Sequence, residues 1–177
     1  MKKSGIYNLV QVALMTALLC LCAFITIPAT TPITLQTFGV STALLLLGGK
    51  KGTCSVALYV LLGILGLPVF SSFSSGVGYL LGPTGGFIFG FILWGIFYNL
   101  TEYICEKTNE KLRPFITQTA GLLLCYAAGV MWFMFVTASG LREALLICVV
   151  PCIIPDAVKI ALSLLIAKKL KNTKLFE

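Results

Sequence analysis

Long apolar runs punctuated by short polar clusters organise this chain from end to end. Runs of about 18 or more apolar residues read as membrane-spanning helices, and shorter ones as helices buried by protein. The pattern predicts six spans. The first covers residues 7–27 and ends before the polar "PATTPIT". The second, 35–49, closes at "GGKKG", and the third, 53–67, ends at Pro68. After the charge-free "VFSSFSSGVGYLLGPTGG" comes a fourth span, 85–104, and then the charged connector "CEKTNEKLRP". A fifth covers 115–138. The sixth begins near Leu145, contains Pro151 and Pro155, and ends at "AKKLKNTK". The second and third are shorter than the roughly 20 residues an upright crossing needs. They are expected to pack inside the bundle or lean on adjacent loops.

Composition agrees with an integral membrane protein and excludes a water-soluble domain. Hydrophobic residues make up 58% of the chain and charged ones 11%, with a mean hydropathy of +1.00. Soluble domains carry about twice that share of charge. The N-terminal "MKKSGIYNLVQVALMTALLCLCAFI" has two lysines before an apolar stretch, as a signal peptide would. Its apolar region is too long and no small-residue cleavage site follows, so it reads as a retained first helix.

The net charge of +7 does not point to nucleic acid, because the basic residues sit in clusters between apolar segments. With the N-terminus inside, the inner segments hold Lys2, Lys3, Lys50, Lys51, Lys107, Lys111, Arg113, Lys168, Lys169, Lys171 and Lys174, and the outer ones only Arg142. That asymmetry sets both termini in the cytoplasm. An odd number of spans would put the C-terminal lysines outside.

Candidate chemistry is sparse. The 7 cysteines form no CxxC pair and there is no histidine, so a zinc or haem site from the usual ligands is not expected. The thiols read as small apolar packing groups. Without a histidine base, a Gly-x-Ser-x-Gly elbow or a Walker-type loop, nothing points to an enzyme. "GPTGG" (Gly82, Pro83, Thr84, Gly85, Gly86) lacks a following lysine and reads as a tight turn at the mouth of the fourth span. Ala13 and Ala17, four residues apart, offer a small-residue face for another helix. The outer loops "IPATTPITLQT" and "FSSFSSGVGYLLGPTGG" carry no charge. Their Thr, Ser, Gln and Gly suit either the lining of an outward pocket or plain connectors.

The sharpest feature is "PCIIPDAVKIAL", where Asp156 and Lys159 interrupt an apolar run one helical turn apart. Insertion scales place such a side chain at about 3 kcal/mol near the bilayer centre. Either the two neutralise each other structurally, or they face a cavity and bind a ligand. Pro155 favours the second: a helix starting afresh there would put Asp156 in its first turn, near free backbone N–H groups.

Together, "TPITLQTFGV" (31–40), "LGILGLPVF" (62–70), "LLGPTGG" (80–86), "YAAGVMW" (126–132) and "PCIIPDAVKIAL" (151–162) resemble the BioY family, the biotin-specific substrate-binding subunits (S components) of energy-coupling factor transporters. In the last motif Pro155 stands where the family has glycine. Phe87 and Ile88 follow the GPTGG turn where some relatives carry a polar or basic residue. The resemblance implies a single all-α domain over residues 1–177, with six transmembrane helices in the cell membrane. Its ligand would be biotin, captured from outside, with no cofactor. Partners would be a transmembrane coupling protein, contacted through Ala13 and Ala17, and two cytoplasmic ATPases.

Under that reading either Asp156 accepts from the ureido N–H groups and Lys159 supplies positive charge, or one of the two orients the other. Trp132 and Tyr79 are candidates to flank the ring, and Thr34, Gln36 and Ser74 to offer neutral hydrogen bonds; packing or loop solvation accounts for these five equally well. Two other functions share much of this pattern: an S component for another vitamin, and a self-contained proton-coupled carrier in which Asp156 exchanges the proton.

Overall fold

The computed structural model describes residues 2–28, 31–104 and 112–170. Cys105, Lys107, Lys111, Lys171 and Lys174 lie outside the described residues. Helix α1 (Lys2–Phe24) is followed by a two-stranded antiparallel ribbon, β1 (Thr26–Ile27) with β2 (Ile33–Thr34). Then come α2 (Gln36–Ile64), a 3₁₀ turn (Ser71–Phe73), α3 (Gly76–Leu81) and α4 (Gly85–Ile104). Helices α5 (Arg113–Thr137), α6 (Leu141–Cys148) and α7 (Val150–Leu170) complete the order. Among the described residues four helices are long and apolar enough to cross a membrane: α1, α2, α5 and α7. Helix α4, of 20 residues, packs along α5.

The predicted second and third spans are the two arms of α2. Gly48 breaks the helix with φ 77° and ψ 175°, a backbone readily adopted only by glycine. There the chain doubles back: a Cβ built on Gly52 would stand 2.8 Å from the Cα of Leu44. Continuous helix would separate those residues by about 12 Å. The turn is therefore tighter than the expected "GGKKG" loop, and Lys50 and Lys51 belong to the start of the second arm. Cations suit a helix N-terminus poorly. The Glu102 carboxylate offsets them, accepting from the Gly49 N–H at 2.6 Å.

The sixth span also differs from expectation. Its helix starts at Val150, so Pro151 occupies the first turn and Pro155 lies inside the helix. Asp156 is thus in the second turn, away from the free N–H groups that the sequence suggested for it.

Close approach between α4 and α5 rests on glycine from both sides. A Cβ on Gly86 would meet Cβ of Trp132 at 2.2 Å, and one on Gly129 would meet the Phe87 ring at 2.4 Å. A Cβ on Gly90 would lie 3.0 Å from the Cα and carbonyl oxygen of Cys125. Small residues are how helices gain dispersion contact where lipid supplies no hydrophobic drive. Between these helices and the two arms of α2 sits the main core, with Leu19, Val40, Leu44, Val56, Tyr59, Phe70 and Trp94 fully buried.

Charge is sorted along the bundle. Lys51 Nζ donates to Asn8 Oδ1 at 2.7 Å, and Arg113 donates to the Glu102 carbonyl at 2.7 Å. The start of α1, the Gly48 turn, the end of α4 and the start of α5 therefore share one end. Arg142, in α6 beyond the far end of α5, lies at the other.

The Gly48 turn gives a direct test. A Cβ on Gly49 would stand 2.3 Å from the backbone Cα of Asn99, which cannot move aside as a side-chain tip can. Gly49→Ala should lower stability in detergent by about 1–3 kcal/mol. Gly5→Ala, with nothing within 4 Å, should leave the melting temperature unchanged.

Candidate ligand-binding site

Asp156 and Lys159 are 3% and 7% exposed, so lipid and bulk water are both withheld from them. Their 2.6 Å contact, Lys159 Nζ to Asp156 Oδ1, offsets the two charges. Further partners come from three other elements. Thr37 of α2 donates to Asp156 Oδ1 at 2.9 Å, and Tyr126 of α5 donates to Oδ2 at 2.6 Å. The β2 carbonyl of Thr34 accepts from Lys159 Nζ at 2.7 Å. Such charge-assisted bonds are about twice as strong as neutral ones. Here they fix three elements around one helix.

Both side chains open onto a cavity that combines an apolar wall with a few convergent polar groups, the usual make-up of a small-molecule site. One wall is apolar: Phe87, Ile88, Phe91 and Cys125. The opposite side is polar, with Thr31, Thr34, Gln36, Thr37 and the charged pair. Both charge-free loops take part, since Thr31 to Thr34 of the first and Ser71, Tyr79 and Thr84 of the second line the space. The site lies in the half of the bundle away from the Gly48 turn.

Preorganisation is visible in the neutral groups. Gln36 is held by three bonds: its Oε1 accepts from Thr34 Oγ1 at 2.8 Å, its N–H donates to the same oxygen at 3.2 Å, and its Nε2 donates to Tyr59 Oη. Tyr79 stacks on Phe70 with centroids 5.2 Å apart, and its hydroxyl bonds Ser71 Oγ.

Of the residues singled out from sequence, Asp156, Lys159, Tyr79, Thr34 and Gln36 line the cavity, and so does Thr84 of the GPTGG turn. Two do not. Trp132 points to the outer side of the α4–α5 pair, beside Phe89 and Phe135, and donates from Nε1 to the Gly82 carbonyl at 3.0 Å. It ties α5 to the turn. Ser74 closes the 3₁₀ turn through its backbone, donating to Ser71 and accepting from Phe70. In the GPTGG turn, a Cβ on Gly85 would overlap the Leu80 carbonyl at 1.7 Å, so that glycine serves close approach. Ala13 and Ala17 are exposed on the outer face of α1, while Thr16 beside them turns inward and donates to the Ser55 carbonyl at 3.1 Å.

Comparison with known proteins decides the relationship. The sequence model of the BioY family matches residues 1–175. The biotin transporter BioY of Thermotoga maritima is 40% identical over 93% of this chain and 96% of its own length. The probable biotin transporter BioY of Pyrococcus horikoshii is 41% identical over 80% and 81%. A solved structure, the S-component for biotin from an ECF-type ABC transporter, superposes with a TM-score of 0.89. It covers 99% of this chain and 96% of its own at 27% identity. The chain belongs to the BioY family.

In this BioY chain the sequence reading passed over Thr37, Tyr126, Ser71 and Cys152, all of which line the cavity. Tyr126 carried a signal: a tyrosine amid "LLLCYAAGV" needs a partner for its hydroxyl when buried, and the one buried carboxylate nearby supplies it. Thr37 carried none, since a threonine at a helix start usually serves the backbone. Phe87 and Ile88 supply the apolar wall rather than a polar contact.

Tyr126→Phe removes one bond to a buried carboxylate and leaves packing intact. It should cost about 1.5–3 kcal/mol of stability, read by denaturant unfolding in detergent. Thr119→Ala, whose hydroxyl bonds only its own helix at an exposed site, should cost nothing measurable.

Proposed function

We propose that this BioY chain is the biotin-binding S component of an energy-coupling factor transporter, a transport subunit and not an enzyme. The observation that carries this reading is the bonding left unspent by the charged pair. An ammonium has three hydrogens and a carboxylate about four acceptor positions. Lys159 uses two, toward Asp156 and Thr34, and Asp156 accepts three bonds, from Thr37, Lys159 and Tyr126. One donor hydrogen of Lys159 and one acceptor position of Asp156 Oδ2 remain, on two side chains that both line the cavity.

A ureido ring presents N–H and C=O groups side by side, which is the complementary pattern. Both charges therefore engage the same end of biotin: Asp156 takes a ureido N–H and Lys159 gives to the ureido oxygen. The thiophane and alkyl chain lie along Phe87, Ile88 and Phe91, with Tyr79 and Gln36 shaping the polar side.

The rest of the assignment follows from the charge map and from family membership. The protein crosses the plasma membrane six times, counting the arms of α2 separately and including α4, with both termini in the cytoplasm. The cavity faces outward. The exposed Ala13 and Ala17 meet the transmembrane coupling protein, and two cytoplasmic ATPases drive release inward.

Titration of purified protein with biotin tests this. Wild type should bind tightly, and Asp156→Asn with Lys159→Ala should weaken binding at least about 100-fold, as expected for two buried charge-assisted bonds. Trp132→Phe and Ser74→Ala should bind as wild type does. Weak wild-type binding, or displacement of biotin by thiamin or riboflavin, overturns the assignment. A second measurement needs no variant: biotin should slow alkylation of Cys152, which lines the cavity, and leave the exposed Cys54, near the Gly48 turn, unprotected.

A further inference from the structure

One layer beyond the cavity, the same step along four helices reaches a set of wholly enclosed polar side chains. Ser41 lies one turn past Thr37 on α2, and Ser163 one turn past Lys159 on α7. Trp94 lies one turn past Phe91 on α4, and Gln118 two turns before Cys125 on α5, which runs antiparallel to α4. Ser41, Trp94, Gln118 and Ser163 are each 0% exposed. Part of this layer is bonded: Ser41 Oγ meets Ser163 Oγ at 2.6 Å, Ser163 donates to the Ile160 carbonyl at 2.8 Å, and Gln118 Nε2 reaches the Ser41 carbonyl at 3.4 Å.

Two atoms of the layer have no protein partner among the described residues, the indole Nε1 of Trp94 and the amide Oε1 of Gln118. The first can only donate and the second can only accept. Both belong to the same turn of the α4–α5 contact. The Trp94 ring lies over Gly121, where a built Cβ would be 2.1 Å from Nε1, and Gly121 is one turn from Gln118 on the same face of α5. Leaving either unpaired away from water would destabilise the fold.

We propose that a single buried water binds between Trp94 and Gln118, accepting from the indole N–H and donating to the amide oxygen. A cation is the wrong occupant, because an indole N–H can only donate. Water fits the pair, and its second hydrogen is free for a carbonyl of the same layer. The water completes a polar path from α4 through α5 and α2 to α7, ending one turn beneath Lys159. Trp94 and Gln118 are thereby positioning residues: neither touches the cavity, yet together they join the helices that carry its two walls.

X-ray radiolysis of the purified protein in detergent tests this, since hydroxyl radicals form from bound water in place. With each rate normalised to that of the free amino acid, Trp94 should oxidise severalfold faster than Phe70, which is equally enclosed but has no polar atom to hold a water. Oxidation of Trp94 no faster than Phe70 overturns the proposal. Thermal melts of variants supply an independent arm. Trp94→Phe and Gln118→Leu should each lower the melting temperature, and Trp94→Phe should cost clearly less in the Gln118→Leu background, where its partner is already gone. Equal losses in both backgrounds overturn the shared water. Coupling without oxidation also overturns it, because a direct contact would then account for the pair.

Discussion

The structure depends on satisfying a carboxylate and an ammonium where the surrounding solvent is hydrocarbon. Lipid can supply no hydrogen bond, so every partner of Asp156 and Lys159 must come from protein or ligand. That requirement recruits Thr37 from α2, Tyr126 from α5 and a backbone carbonyl from the β-ribbon. The ribbon itself gains a reason to exist. A loop of arbitrary shape would not hold the Thr34 carbonyl at 2.7 Å from the ammonium, and pairing Thr26 with Thr34 and Ile27 with Ile33 fixes that reach. Cavity and charge neutralisation are one construction: the groups that make the pair tolerable also form the polar side of the site.

Glycine supplies the complementary constraint. Where α4 meets α5, the large residues Phe87, Trp94 and Trp132 each stand against a glycine of the partner helix, Gly129, Gly121 and Gly86. The apolar wall of the cavity is therefore carried by a tightly joined pair of helices. Its polar side is carried by α2, α7 and the ribbon, whose contacts run through individual hydrogen bonds.

Much of this was legible in the sequence because lipid makes sequence signals strong. An aspartate three residues from a lysine in an apolar run has few explanations, and both residues do line the cavity. The long spans showed themselves by hydropathy. What hydropathy does not encode is backbone path. "LLLLGGKKGT" reads as a helix end followed by a loop, because two glycines and two lysines interrupt the apolar run. Only the distant Glu102 explains why a helix resumes at Gly49. Pro155 misled for a related reason: proline marks a first turn by local rules, but Pro151 four residues earlier had already taken that place. Trp132 shows the limit on side chains. Its neighbours in "YAAGVMW" include the site residue Tyr126, yet six residues along a helix is 600° of rotation, which turns Trp132 well away from the face Tyr126 presents.

The doubled-back α2 also reaches beyond the protein into the lipid around it. Residues 49–64, at 1.5 Å of rise each, extend about 24 Å, and hydrocarbon is about 30 Å thick. This arm exposes Leu61 and Ile64 on its outer side, and as one of the six proposed crossings it is shorter than the layer it crosses. The molecule thus has one edge shallower than the sides built by α1, α5 and α7. Acyl chains beside that edge must compress or splay to meet it, at a cost that grows with chain length. The Gly48 break, by dividing α2 into two short arms, thereby ties the fold to the thickness of the layer around it.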